Sequence, residues 1–344
     1  MNNISLLGID IAKHFFQLHS IDDQGNVMLK KKLTRDKLVE FIATLPACTI
    51  AMEVCGGANF WARKFKKLGY PVKLISPQFV KPFVKTNKND RNDAEAIAEA
   101  ASRPSMRFVS TKTVEQQDLQ SLHRIRSLLI QERTALSNQI RGLLMEYGII
   151  MARGIHNLNK CLPTIIDDLE TELSTLSKNF LHDLYEQINL KTKKINEYEK
   201  LIEAVFKQNP ACQKIAQIEG VGTLTATAII ACIGDINNFK NARHLSAYLG
   251  LVPRQHSSGG REKLLGISKR GDVYVRYLLI HGARAVVRCV DKKLDRKSNW
   301  INSLKERKGY NIAAVALANK TARTIWAILK NDSNYQLNYQ PTVA

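Results

Sequence analysis

The apolar positions of the first 76 residues fall into short segments typical of β-strands, and two stretches between them have helical spacing. The runs ISLLGID and CTIAMEV are the clearest of the strands. Helical spacing follows at 35–45 and again after the turn Gly56-Gly57. The predicted strands, of which the third belongs at a sheet edge because of its lysines, lie at 4–10, 13–20, 25–33, 48–54 and 72–76. The order βββαβαβ predicts an α/β domain over residues 1–110.

The middle of the chain, residues 111–206, has a helical period throughout. One long helix is predicted at 114–148 and a second at 178–206. In the second helix, apolar residues recur every seven positions, at Leu181, Ile188, Ile195 and Ile202. This spacing predicts an apolar seam packed on a partner helix, as in a coiled coil. An antiparallel arm within the chain, pairing between chains and a plain helical bundle are the alternatives.

Residues 207–330 form a third predicted domain, which is mainly helical, and residues 331–344 form a polar tail. The turn Gly220-Val221-Gly222 opens a helix rich in small residues. The backbone N–H groups of this turn could bind a phosphate at the helix N-terminus. The alternative interpretation is a tight turn between packed helices. Two glycine-rich basic loops are predicted within 253–272, before helices at 273–289 and 310–330.

The positive charge of the chain is concentrated rather than spread. Lys and Arg number 51 against 31 Asp and Glu, a formal net charge of +20. Residues 251–310 alone hold 15 basic and 5 acidic residues. A basic block of this kind indicates a phosphate-rich partner, with nucleic acid favoured over an anionic membrane surface.

Several classes of protein are excluded by what the sequence lacks. No apolar run approaches the roughly 18 residues of a membrane span, and the first residues do not resemble a signal peptide. The six cysteines are scattered without a C-x-x-C pair, so neither a disulfide framework nor a zinc site is expected. We therefore expect a cytoplasmic protein without a membrane partner.

Four carboxylates stand where they could share a divalent ion. Asp10 ends the first strand, and Glu53 lies near the end of a strand that we expect beside it. Asp90 and Asp93 begin a helix and, three residues apart, share one of its faces. Hard cations such as Mg²⁺ prefer oxygen ligands, and paired ions can activate an attacking oxygen and stabilise a leaving one. Turn and helix-capping roles for these acids are the alternative.

The same residues carry a family likeness that spans nearly the whole chain. The motifs GIDIAK, AMEVCGG and KNDRNDAEAIAEAA occur in order, followed by IEGVGTLTATAIIACIGDINNF, RQHSSGG and GISKRGDVYVRYLLIHGARA. This set resembles the DEDD insertion-sequence transposases, whose relatives include the pilin-gene invertases. The resemblance implies an RNase H/RuvC-like N-terminal domain, a coiled-coil arm and a mainly helical C-terminal transposase domain.

The resemblance also implies a site and its partners. The family motif positions correspond to Asp10, Glu53, Asp90 and Asp93, which would bind Mg²⁺ (or Mn²⁺). The serine nucleophile of the family, which stands just before a glycine, corresponds to Ser258, with Ser257 adjacent as the alternative. Members are reported to act on donor and target DNA with an element-encoded guide RNA, as homodimers and tetramers.

The residues around this serine extend the predicted site. We expect contacts with phosphates because arginine binds a phosphate bidentately and lysine acts as a point charge. His256 is a candidate general base, with an exposed loop histidine as the alternative. The predicted nucleic-acid contacts are Arg254, Arg261, Lys263, Lys269, Arg270 and Arg276, with Gly220 and Gly222 at the turn.

The expected function is therefore a transposase or recombinase that transfers phosphodiesters through Ser258 with metal assistance. A structure-specific nuclease that uses metal-activated water is one alternative. A non-catalytic nucleic-acid architectural protein, in which the acids are only structural, is another.

Overall fold

The computed structural model describes residues 4–85 and 89–336, without the side chain of Asp90. The chain divides into two compact units, which are described separately. The first contains the residues up to Gln116 together with Ile233–His244, and the second contains Gln117–Cys232 and the residues after His244. The last residues of the predicted tail, 337–344, lie outside the described part.

A six-stranded mixed sheet forms the centre of the first unit. Its spatial order is β3-β2-β1-β4-β5-β6. β1 pairs in parallel with β4, and β4 with β5, whereas the β1–β2, β2–β3 and β5–β6 pairs are antiparallel. The five predicted strands are confirmed, including the edge position of β3, and β6 is additional. The strands are β1 (Leu6–Ile11), β2 (Phe15–Ile21), β3 (Val27–Thr34), β4 (Thr49–Glu53), β5 (Val72–Ile75) and β6 (Phe108–Val109).

Helices cover both faces of this sheet, because alternate residues of the central strands are apolar on each face. Leu7, Ile9 and Met52 pack on one face with Trp61 of α2 and with α1. Leu6 and Ala51 pack on the other face with Ile97 of α4. The helices are α1 (Arg35–Ala43), α2 (Ala58–Lys67), α3 (Pro77–Val80) and α4 (Asp90–Ser102), and two short 3₁₀ turns lie at Lys81–Phe83 and Ile236–Asn238.

The second unit is mostly helical, as predicted for the C-terminal region. The predicted helices at 114–148, 178–206, 273–289 and 310–330 are confirmed. Helices α6, α10 and α12 are not predicted from the sequence. The elements are α5 (Val114–Met145), α6 (Ile155–Asp167), α7 (Thr175–Gln208), α8 (Pro210–Ala216), α9 (Thr223–Ile233), α10 (Ala242–Tyr248), β7 (Pro253–Gln255), β8 (Leu264–Ile267), α11 (Val273–Cys289), α12 (Arg296–Lys308) and α13 (Tyr310–Asn331).

The two longest helices, α5 and α7, lie antiparallel within the chain. Arg126 Nε donates to Glu199 Oε1 at 2.9 Å, and Lys191 Nζ lies 2.7 Å from Glu132 Oε2. Moving toward the end of α5, from Arg126 to Glu132, the contacting residue moves toward the start of α7, so the two helices run in opposite directions. The seven-residue seam is buried over its whole length, at Leu181, Ile188, Ile195 and Ile202. Of the three arrangements weighed from the sequence, the intrachain pair is found; coiled-coil geometry stays a prediction.

The segment 253–272 departs from its prediction as a pair of loops. β7 and β8 form an antiparallel hairpin across it. Both strands are only three or four residues long and almost fully exposed, so no apolar alternation marks them in the sequence.

The sequence predicts no segment that could span a membrane, and helix α13 is an exception to that prediction. By length and composition α13 could cross a membrane. One side of it is buried in the protein, through Ala314, Leu317, Ala318, Ile325 and four other residues. No other described helix passes the same test.

Candidate active site

Asp10 and Glu53 lie side by side at the carboxyl edge of the sheet. β1 and β4 run parallel with Ile9 opposite Met52, so the next residue of each strand is an acid. Both side chains are partly buried. They follow Gly8 and Ala51 by two residues and therefore point to the sheet face that α4 covers. The strand pairing thus brings together two of the four predicted carboxylates.

Helix α4 approaches β1 closely enough to bring its first turn toward this edge. A Cβ on Gly8 would lie 2.6 Å from the Ala94 carbonyl oxygen and 2.8 Å from the Ala98 amide nitrogen. The end of the helix, at Ala101, packs near Leu6 at the start of β1. α4 therefore runs opposite to β1, and its first turn, which carries Asp93, lies toward the end of β1 that carries Asp10.

Local capping explains where α4 begins. The side chain of Asn89 accepts a hydrogen bond from the Asn92 backbone N–H at 2.9 Å, as at many helix N-termini. Asp93 is partly buried in the first turn that follows. The side chain of Asp90 lies outside the described residues, so its predicted place beside Asp93 stays a prediction.

Cys55, which sequence reasoning did not single out, is part of this site. Its Sγ lies 3.9 Å from the Ile11 carbonyl oxygen. Although Cys55 is exposed at the surface, desolvation of its thiol by surrounding protein atoms, followed by the negative charges of Asp10 and Glu53, raises the pKa of the thiol to about 11. The position two residues after Glu53 in AMEVCGG was the available signal. A neutral thiol next to two carboxylates adds no third negative charge to the edge at neutral pH.

The carboxylates fit a divalent ion in their chemistry but do not by themselves complete a ligand set. Asp10 and Glu53 supply the hard oxygen ligands that Mg²⁺ prefers. Within the described side chains, no group of three or more His, Cys, Asp or Glu residues is placed to hold a metal ion. The four-carboxylate set therefore stays a prediction, of which the structure brings two members into adjacent positions.

Ser258 stands at the exposed tip of the β7–β8 hairpin. It forms a bridge with Arg261 across Gly259 and Gly260, whose φ angles are +56° and +76°. Two positive φ values favour glycine and close a two-residue hairpin turn. The alternative residue, Ser257, has its hydroxyl oxygen 2.9 Å from Gln255 Nε2, which donates to it. The hairpin thus presents Ser258 at its turn and Ser257 along its side.

Five of the six predicted phosphate-binding cations are exposed around this hairpin: Arg254, Arg261, Lys263, Lys269 and Arg270. Arg276 requires a correction. Its side chain is buried, and its guanidinium donates to the backbone carbonyls of Arg270 at 2.7 Å and Leu249 at 3.3 Å. Arg276 Nη1 therefore holds the loop before α11 through these two carbonyls, and the buried side chain does not make the predicted phosphate contact.

The Gly220-Val221-Gly222 turn is part of a close packing contact. A Cβ on Gly282 of α11 would collide with the Gly220 carbonyl, and one on Gly220 would lie 2.8 Å from the Gly282 carbonyl oxygen. Gly220 also has a φ of +88°. This matches the alternative of a tight turn between packed elements. Gly222 is exposed with open space at its Cβ position, and a phosphate contact there stays a prediction.

Comparison with known proteins relates both units to one family. The model for the transposase IS116/IS110/IS902 family matches residues 212–298, and a model of DEDD transposases of the IS110 type matches residues 7–149. The transposase for insertion sequence element IS1111A of Coxiella burnetii is 53% identical over 98% of this chain and 92% of its own length. The transposase for insertion sequence element IS1328 of Yersinia enterocolitica is 43% identical over 95% of this chain and 97% of its own. The pilin gene-inverting protein of Moraxella bovis is 38% identical over 60 residues.

Proposed function

The chain belongs to the IS116/IS110/IS902 family of insertion-sequence transposases, which cut and rejoin DNA, and we propose that its own chemistry combines a serine nucleophile with a carboxylate-bound divalent ion. The observation that carries this proposal is the pairing of Asp10 with Glu53 at one sheet edge, toward which the first turn of α4 points.

We assign the first unit to the RNase H/RuvC-like class. The antiparallel run β3-β2-β1 continues into the parallel pairs β1–β4 and β4–β5, and helices cover both faces. Acids at the adjoining ends of β1 and β4 are where such a sheet would hold metal ligands. The family resemblance supports the same assignment.

Asp10 and Glu53 would hold the ion directly, with Asp90 and Asp93 completing the ligands from α4. Mg²⁺ (or Mn²⁺), when bound, would supply Lewis-acid stabilisation of charge developing on a phosphodiester oxygen. The protein's own contribution is to fix two carboxylates on rigid neighbouring strands, so that little reorganisation is needed when the ion and the DNA arrive.

Ser258 Oγ would attack the phosphorus of the scissile linkage. The bond from phosphorus to the leaving DNA oxygen breaks, the serine proton passes to solvent or a base, and the leaving oxygen takes up a proton as a free hydroxyl. The product is a phosphoserine ester. Attack by a hydroxyl of the second strand then restores the serine and joins new ends. The phosphoserine ester retains the energy of the broken phosphodiester bond, so the joining step requires no ATP hydrolysis.

The basic surface of the hairpin would position DNA for this step. Arg254, Arg261, Lys263, Lys269 and Arg270 can neutralise phosphates on either side of the scissile linkage. Sequence choice would come from a guide RNA that pairs with donor and target, so the protein need not read bases. The chain would act as a homodimer or tetramer in the cytoplasm, where the serine and the carboxylates of one site can come from different protomers.

The test is strand joining on a purified element end with its target and guide RNA. We expect Asp10→Asn and Glu53→Gln each to lower the joining rate by 100-fold or more, as for loss of a metal-centred electrostatic contribution. Asp23→Asn and Glu40→Gln, at exposed acids of the same unit, serve as matched controls and should join at the wild-type rate.

Three results would contradict the proposal. If Asp10→Asn and Glu53→Gln joined DNA as well as the controls, the carboxylate site would be misassigned. If Ser258→Ala still cleaved DNA at the wild-type rate without joining, water would be the nucleophile and the chain would act as a metal-dependent nuclease. If the wild-type protein bound DNA but neither cleaved nor joined it, an architectural role would replace catalysis.

A further inference from the structure

Helices α12 and α13 of the second unit meet where a lysine faces a tryptophan ring. Lys320 Nζ of α13 lies 4.6 Å from the centre of the Trp300 ring of α12, within the range of a cation–π contact. Arg296 precedes Trp300 by four residues in α12, and Arg323 follows Lys320 by three residues in α13. Residues with these spacings are neighbours on one face of a helix. The contact therefore joins one face of α12 and one face of α13 into a single surface.

Four cations meet on this surface, which we call the α12–α13 cationic cluster: Arg296, Lys297, Lys320 and Arg323. Desolvation by surrounding protein atoms, followed by the positive charges of the other three members, lowers the pKa of Lys320. The cations are thus close enough to repel one another. A bound anion would relieve this repulsion, so the arrangement favours a negatively charged partner.

Three members of the cluster carry positive charge that no acid balances. Lys297 is paired, since its Nζ lies 2.9 Å from Glu219 Oε2. Among the described residues, the other three members form no ion pair with a carboxylate, and all three are exposed. The acid that precedes α12, Asp295, caps the helix by accepting from two backbone N–H groups and from the Ser298 hydroxyl. Three exposed cations are therefore available to an incoming anion.

We propose that the α12–α13 cationic cluster binds the phosphate backbone of duplex DNA, as a surface additional to the Ser258 hairpin. DNA is the partner because the chain belongs to a family of transposases, which act on DNA. A DNA duplex carries one negative charge per about 1.7 Å of its axis, which complements several cations grouped on two adjoining helices. The Trp300 ring already carries Lys320, so it positions this cation instead of stacking on an unpaired base, as a single strand would require.

The inference goes beyond the proposed chemistry, because the cluster requires neither the serine nor a metal ion. Arg296 and Lys297 belong to the basic stretch 251–310. Lys320 and Arg323 lie outside that stretch, and the packing of α13 on α12 brings them to the same surface. The cluster would hold DNA beside the reacting linkage without taking part in bond breaking.

The experiment measures binding of the full-length protein to a fluorescent 24-base-pair DNA duplex by anisotropy in EDTA, over a series of salt concentrations. Each phosphate contact contributes about 0.9 to the slope of log Kobs against log [salt]. We expect Arg296→Gln, Lys320→Gln and Arg323→Gln each to reduce the magnitude of that slope by about 0.9. The affinities should converge toward 1 M salt, which corresponds to a loss of about eightfold at 0.1 M.

Matched variants separate this surface from general charge. Lys200→Gln removes an exposed cation of α7 whose charge lies near Glu197, and it should leave the slope unchanged. Arg323→Lys keeps the positive charge and should keep the slope. Thermal melting of each variant checks the fold, which exposed side chains without ion pairs should affect little. The same titration with an RNA hairpin of equal charge compares the two nucleic acids, and we expect the smaller loss for RNA.

Three outcomes overturn the inference. An unchanged slope in two or more of the three glutamine variants would remove the cluster from the DNA interface. An equal reduction in Lys200→Gln would make the effect one of general charge. A loss of RNA affinity that matches or exceeds the loss for DNA would assign the surface to RNA. Because binding is measured in EDTA, these results are independent of whether Asp10→Asn abolishes joining, so a failure of the proposed function is recognised separately.

Discussion

At the scale of single residues, glycine is required where two backbone segments of the second unit come into contact. Gly220 and Gly282 bring the turn before α9 against α11 with no room for a side chain on either. Nothing in the local sequence around Gly282 marks that contact, since its partner lies 62 positions earlier. The sequence placed Gly220 at a turn but could not decide what the turn packs against.

Gly282→Ala therefore tests the packing of this turn. We expect a loss of about 1–3 kcal/mol in the free energy of unfolding, because the new methyl group meets backbone, which cannot rotate away. Gly222→Ala, two residues after Gly220 and with open space at its Cβ position, should change stability much less. Urea denaturation of both variants gives the comparison, and equal stability would contradict the contact.

Arg276 shows that the number of basic residues in a segment does not establish which of them are available to bind phosphates. Its position in the basic stretch predicted a phosphate contact, whereas its guanidinium is buried on the carbonyls of Leu249 and Arg270. Those carbonyls come from a turn brought together only by the fold. Asp10 and Glu53 were predictable, in contrast, because each ends a recognisable strand and neighbouring strand ends meet at one edge.

At the scale of elements, the position of α4 on the sheet links stability to the site. The helix lies on β1 at Gly8, two residues before Asp10. The sequence predicted both the strand and the helix but not their separation. The short distance between α4 and β1 is possible because Gly8 has no side chain, and only the structure shows that α4 packs at this position.

Gly8→Ala should push α4 away from β1. The added methyl group would meet the backbone of Ala94 and Ala98, so we expect joining activity to fall at least tenfold while Asp93 is displaced from the carboxylate edge. Stability should fall by about 1–3 kcal/mol. Joining assays run well below the melting temperature separate the two effects. Wild-type activity in a folded variant would show that α4 can move without consequence.

The buried seam of α7 gives a second prediction at this scale. Ile195→Ala removes a side chain that is 2% exposed and should cost about 2–5 kcal/mol in the free energy of unfolding. Leu190→Ala, on the same helix but 65% exposed, should change it by less than about 0.5 kcal/mol. Chemical denaturation measures both. Equal effects would mean that the seven-residue pattern does not pack within the chain.

At the scale of the whole molecule, buried histidines make stability depend on pH. His123 of α5 is bound by Tyr274 and Thr227, with its ring nitrogens 3.2 Å and 3.0 Å from their hydroxyl oxygens. Burial, together with the charge of Arg126, lowers the pKa of His123 to about 4, against the opposing effect of Asp272. Burial lowers the pKa of His19 and of His244 in the same direction.

The sign of the effect follows from proton uptake. Below pH 6.5 the unfolded chain protonates His123 while the folded chain keeps it neutral until about pH 4, so stability falls as the pH drops through this window. We expect about 2 kcal/mol of loss from His123 between pH 7.5 and 5. His123→Gln should remove that part of the pH dependence. Identical pH profiles for the two proteins would contradict the buried, neutral histidine.

The arrangement of the whole molecule is where sequence reasoning was least complete. The order of strands and the long helices follow from local periodicity. The short exposed hairpin that carries Ser258 has no such signal, because its strands bury almost nothing. Its tip is nevertheless marked by the two glycines that allow positive φ. The proposed chemistry requires that this hydroxyl and the carboxylates meet at one DNA linkage.

The central claim is tested most directly by trapping the covalent intermediate. Wild-type protein, Mg²⁺, guide RNA and a labelled element end are quenched in denaturant, and the adduct is digested and sequenced by mass spectrometry. We predict a DNA phosphate esterified to Ser258 that is lost in Ser258→Ala and in Asp10→Asn, and that persists in Ser257→Ala. Cleaved DNA without any protein adduct, or an adduct on another residue that survives Ser258→Ala, would contradict the account.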